Sequence, residues 1–93
     1  MAKFGIRTPV REAAYDAIDS ERVYQDRGLG NAKGAGIKSL GDHILCIRKL
    51  LNDTELAWYK PGGLEDALDH VRKMAAVAVR AMEVHGVQFR DLP

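Results

Sequence analysis

Between Ser39 and Tyr59 the residues Leu40, Ile44, Ile47, Leu51, Thr54 and Trp58 recur every three to four positions, the period of an amphipathic helix. Ser39 can cap that helix, and Asp42 three positions on completes the pattern of a capping box. Lys60-Pro61-Gly62-Gly63 breaks it, and so short a break returns the next helix antiparallel to the second. That third helix, from about Leu64 to about His85, places Leu64, Leu68, Val71, Ala75, Ala78 and Met82 on one face, with Gly86 suited to its C-terminal cap. A first helix is expected from about Pro9 to about Gln25. Pro9 is pre-set for its opening turn, and Val10, Ala14, Ala17, Ile18 and Tyr24 form a weakly apolar face opposite Glu12, Asp16 and Asp19. The pattern therefore predicts an all-α fold, a small bundle with a long antiparallel hairpin of helices two and three.

The middle of the third helix, Met74-Ala-Ala-Val-Ala-Val79, is apolar on every side and needs cover on more than one face. Alanines at 75, 76, 78 and 81 permit close helix approach, so a homo-oligomer contact along this helix is expected. The alternative is that the first helix lies across the same surface within one chain. Length supports assembly. A chain of 93 residues holds one domain and buries a modest fraction of its surface.

Charge changes the picture locally. Lys plus Arg at 14 against Asp plus Glu at 13 leaves a net charge of +1, which argues against a bulk nucleic-acid binder or a protein bound to an anionic membrane. The single cysteine, Cys46, allows no internal disulfide, and no zinc-ligand spacing is present, so a packed domain in a reducing cytoplasm is expected. No long apolar run suggests a membrane span, and the N-terminal segment turns acidic too early for a signal peptide.

Candidate chemistry is cationic. Arg22, Tyr24 and Arg27 leave the first helix, and Lys33 and Lys38 sit in a glycine-rich connection over about 28 to 38. Backbone N–H groups and a helix start after such a stretch favour an anion, arginines grip phosphate oxygens, and aromatic rings stack on bases. These five are the candidate ligand-binding residues for a nucleotide. Arg48 and Lys49 add cations on the second helix, and Trp58 and Tyr59 are either a stacking platform or, for Trp58, part of the core. No catalytic residue is assigned: no serine or cysteine stands beside a base, and His43, His70 and His85 are scattered.

The segments Ala17-Ile-Asp-Ser-Glu-Arg-Val-Tyr-Gln-Asp26, Ser39-Leu-Gly-Asp42, Arg48-Lys-Leu-Leu-Asn-Asp-Thr-Glu-Leu-Ala-Trp58, Ala67-Leu-Asp-His-Val-Arg-Lys-Met-Ala-Ala-Val-Ala-Val79 and Met82-Glu-Val-His-Gly86 resemble small MazG-like proteins of phages and prophages. The likeness covers most of the chain. It implies an all-α fold and, in its active members, nucleotide pyrophosphohydrolysis with Mg²⁺ held by two pairs of acids on two helices. Here Asp42 is followed by Leu45 and Cys46 where a second acid belongs, and Asp66 and Asp69 are the remnant on the third helix. Gly36-Ile-Lys-Ser-Leu-Gly41 and Ala76-Val-Ala-Val-Arg-Ala-Met82 also resemble the helical hairpin of phage anti-CBASS and anti-Thoeris proteins. That likeness implies sequestration of cyclic-nucleotide immune signals by homo-oligomers, with Lys38 matching a signal-contacting lysine and Tyr24 an upstream aromatic residue.

Three readings follow. The leading one is an oligomeric phage-type sponge for a nucleotide or cyclic-nucleotide immune signal, without a cofactor, acting in the bacterial cytoplasm. The second is a divergent MazG-like pyrophosphohydrolase, with Asp42, Glu65, Asp66 and Asp69 holding Mg²⁺. The third is a protein-binding inhibitor or structural oligomer with no small ligand.

Overall fold

A computed structural model describes residues 4–28 and 38–92. They form three helices: α1 (Pro9–Asp26), α2 (Leu40–Trp58) and α3 (Leu64–His85). Each boundary has a local cause. Thr8 caps α1 by accepting the Arg11 N–H at 3.2 Å, with Pro9 next in the first turn. The expected capping box opens α2: Ser39 Oγ accepts the Asp42 N–H at 3.1 Å, and the Asp42 carboxylate accepts the Ser39 N–H at 3.2 Å. Gly86, at φ +115°, ends α3 and donates its N–H to the Met82 carbonyl at 2.9 Å.

The turn between α2 and α3 is tight enough to depend on glycine. A side-chain carbon at Gly63 would sit inside van der Waals contact of the Ala57 carbonyl, and Gly62 has φ +68°. The two helices then run back antiparallel, as the sequence predicts. His43, Ile47, Leu50, Thr54 and Ala57 form the α2 side of the seam, spaced alternately by four and three. Across it lie Ala67, His70, Met74, Val77 and Ala81, in the same spacing.

α3 is the central helix: among the described residues α1 packs on α3 and makes no comparable contact with α2. α1 docks by charge. Its buried residues are Glu21 and Arg22, not its apolar face, and Val10 stays exposed. Glu21 Oε1 accepts from Arg72 Nε at 2.9 Å, while Arg22 reaches Glu83, about three turns further along α3. Ala76, between those two clasps, has no exposed surface.

The remaining core is small. Among the described residues the buried hydrophobic ones are Ala57, Ala67, Ala76 and Ala81, and Trp58, a candidate for the core, is 60% exposed. Trp58 follows Ala57 by one residue, about 100° around the helix, so it stands beside the seam and not in it. Leu40, Ile44 and Leu51 share that flank and are likewise exposed. No helix among the described residues is long and apolar enough to cross a membrane.

Candidate functional site

The start of α2 and the end of α3 meet at the open end of the hairpin, and cations collect there. His85 Nε2 donates to the Lys38 carbonyl at 3.0 Å, which ties the segment entering α2 to the last turn of α3. The His43 ring meets the His85 ring edge-on, with centroids 5.4 Å apart. His43 is buried, at 5% exposure, and its Nδ1 has no hydrogen-bond partner. Burial holds the His43 imidazole below its usual pKa, and His85, Lys38 and Arg80 push it the same way, against a smaller opposite pull from Asp42. Lys38, Arg80 and His85 thus surround a neutral histidine at the positive end of α2.

The expected ligand-binding residues divide. Lys38 lies in this cluster. Tyr24 and Arg27 are exposed in and just after the last turn of α1, which the Arg22–Glu83 pair holds to the last third of α3. Arg22 itself, expected among the ligand-binding cations, is engaged within the fold. Its Nε and Nη2 donate to Glu83 Oε1 at 3.1 and 2.6 Å, Nη1 to Gln25 at 3.1 Å and Nη2 to Asp26 at 2.9 Å. Burial works against its charge, yet the hydrogen bonds to Glu83 and Asp26 outweigh that and hold the guanidinium more firmly protonated. Four donated bonds leave little capacity for a phosphate. Lys33 lies outside the described residues. Arg80, which the sequence pattern did not single out, joins the set because α3 brings it beside His43, 3.9 Å from Glu83.

The candidate metal ligands are not brought together. Asp42 sits at the first turn of α2, whereas Glu65, Asp66 and Asp69 sit at the opposite end of that helix, about 28 Å away for 19 residues. Asp42 is engaged in the capping box, Asp66 lies 3.6 Å from His70, and Asp69 pairs with Arg72 and Lys73. The Arg72 hydrogen bond keeps the Asp69 carboxyl below its ordinary pKa. Among the described residues no three side chains of histidine, cysteine, aspartate or glutamate group to hold an ion.

No known protein family, curated protein or solved structure matches the chain. The geometry therefore stands on its own.

At the closed end, Asp53, Leu56, Ala57, Lys60, Asp66 and His70 line a shallow cavity of about 190 Å³. That is below the roughly 300 Å³ at which small-molecule pockets begin. Trp58 and Tyr59 are exposed beside this end, so the proposed stacking platform and the cationic cluster lie at opposite ends of α2. Lys49 is paired with Asp53 at 2.9 Å.

Proposed function

We propose that the protein is a non-catalytic, homo-oligomeric binding protein that sequesters a small phosphate-bearing ligand of the nucleotide class. The observation that carries this reading is the convergence of Lys38, Arg80 and His85 at the N-terminal end of α2. Lysine and arginine supply charge-assisted hydrogen bonds to phosphate oxygens, and the helix start adds a favourable field. Tyr24 and Arg27 extend the site along the end of α1, the ring for a base and the guanidinium for a second phosphate.

The wider reading adds a phage or prophage origin and a nucleotide or cyclic-nucleotide immune signal as ligand, held in the bacterial cytoplasm as a counter-defence. It rests on the likeness of the Lys38 segment to signal-sequestering hairpins and on the cationic cluster. Hydrolysis is the weaker reading, because Asp42 stands at the other end of α2 from Glu65, Asp66 and Asp69.

The experiment is incubation with linear and cyclic nucleotides and Mg²⁺, followed by separation of the protein and analysis of what it carries. Nucleotide bound and recovered unchanged is the expected result. Pyrophosphate release that disappears in Asp69→Ala would instead make the protein a hydrolase, and no bound nucleotide would leave the protein-partner reading.

A further inference from the structure

The Arg22–Glu83 clasp joins α1 to the cationic end of the hairpin, and its geometry is that of an occupied anion site. Arg22 presents one edge of its guanidinium, Nε and Nη2, to a single carboxylate oxygen, Glu83 Oε1, at 3.1 and 2.6 Å. Arg80 Nη1 stands 3.9 Å from the same oxygen. Two guanidiniums, one from α1 and one from α3, thus converge on one acceptor. The Nε and Nη2 donors form the fork that a phosphate fills with two oxygens. Here one carboxylate oxygen fills it alone.

Burial decides which partner is the exchangeable one. The Arg22 side chain is 8% exposed and that of Glu83 48%, so the carboxylate closes the solvent side of a buried cation. Desolvation works against the Arg22 charge, and Glu83 is the first of the groups that offset it. A cation so placed needs an anion beside it, and a phosphate meets that need as a carboxylate does. The other Arg22 partners, Gln25 on Nη1 and Asp26 on Nη2, belong to α1 itself and hold the guanidinium in place when Glu83 moves out. On the far side of Glu83, Arg80 is near enough to His43 to act on it together with Lys38 and His85. The clasp and the cationic cluster are therefore continuous through Arg80.

We infer that Glu83 is an internal competitor for the ligand: a phosphate group displaces its carboxylate and takes the Arg22 edge and Arg80 together. This inference rests on the proposed nucleotide site and adds to it one gating side chain. It also gives Arg22 a route into that site, since release of Glu83 returns two of its donors.

Calorimetric titration with inorganic pyrophosphate tests the exchange. Glu83→Gln, which keeps a neutral acceptor for Arg22, is expected to bind about tenfold more tightly than the wild type, the lower end for hydrogen bonds to a charged group. Glu55→Gln removes the same charge about 18 Å along α2 from His43, beyond a Debye length of about 10 Å at 0.1 M salt, and is expected to bind as the wild type does. Added to Glu83→Gln, either Arg22→Gln or Arg80→Gln is expected to abolish the gain. An affinity not raised by Glu83→Gln, an equal gain from Glu55→Gln, or a gain that survives loss of either arginine would overturn the inference. Should Glu83→Gln lose helical content, the wild type decides. Its Arg22 Nε–H resonance in nitrogen-edited NMR is expected to shift in excess pyrophosphate, and an unmoved resonance contradicts the exchange. Because the probe carries no base, the two readings fail separately. A wild type that binds no nucleotide removes the proposed function while Glu83→Gln still reports on the clasp, and nucleotide binding indifferent to Glu83 removes this inference alone.

Discussion

Arg22 of α1 closes on Glu83 of α3, with Nη2 2.6 Å from Oε1 and Nε 3.1 Å from the same oxygen. The arginine side chain is buried and the glutamate half exposed, so the pair works partly screened. It and the Glu21–Arg72 pair are what the described structure offers to seat α1, since the buried residues of that helix are these two charges. Arg22→Ala is expected to cost about 1–2 kcal/mol in urea unfolding, the range for a charged hydrogen bond discounted for the exposed partner. In a double-mutant cycle, Glu83→Ala should add less than its own single cost once Arg22 is gone. Full additivity would mean that the pair does not seat α1.

The hairpin turn gives a second expectation. Because a Cβ at Gly63 meets the Ala57 carbonyl, which belongs to backbone and cannot swing away, Gly63→Ala must open the turn. The expected loss is about 1–3 kcal/mol, as for overpacking in a closed site, read from the shift in thermal or urea midpoint. Gly41→Ala serves as the control, since its added carbon meets only the Ser39 hydroxyl at 3.7 Å.

Acid should weaken the open end. The folded pKa of His43 lies below its ordinary 6.5, by burial first and then by His85, Lys38 and Arg80. The unfolded chain therefore takes up a proton near pH 6.5 that the folded chain refuses until lower pH. The contribution of neutral His43 is complete above pH 6.5 and is lost as pH falls through the folded value, with a slope of at most about 1.4 kcal/mol per pH unit. His43→Leu removes this titration and also the buried Nδ1 that has no partner. The variant is expected to be about 1 kcal/mol more stable at pH 7 and to show a flatter dependence of urea midpoint on pH from 7.5 to 5. An unchanged pH profile would show that His43 is not the group that titrates.

All three helices were legible in the sequence because their signals are local: the Ser39–Asp42 box, the Lys60–Gly63 breaker and Gly86 each act within a few residues. The docking of α1 was not. Its apolar positions suggested an apolar contact, but the structure seats it by Glu21 and Arg22, whose partners lie fifty or more positions away. Periodicity also left one ambiguity that only the fold resolves. The stripe through Leu51 and Trp58 and the seam through Leu50 and Ala57 share Ile47 and Thr54 and differ by one residue, so a helical period alone does not say which faces α3. For the site, Lys38 was visible beside a helix start, whereas Arg80 and the His43–His85 contact depend on the hairpin bringing its two ends together.

Lys38 and Arg80 carry the ligand assignment. Replacing either by alanine is expected to weaken nucleotide binding by about 1.5–3 kcal/mol, the range for hydrogen bonds to a charged group. Lys49→Ala, whose cation is occupied by Asp53, should leave affinity unchanged. Equal losses at all three positions would point to a diffuse charge effect, not a site.

The central claim is that the protein binds a phosphate-bearing nucleotide at the open end of the hairpin. Calorimetric titration with a panel of linear and cyclic nucleotides tests it most directly. Saturable binding of at least one of them by the wild type is expected, lost or much weakened in Lys38→Ala with the helical content unchanged. No saturable binding of any nucleotide to the folded protein, or binding indifferent to Lys38 and Arg80, would contradict it.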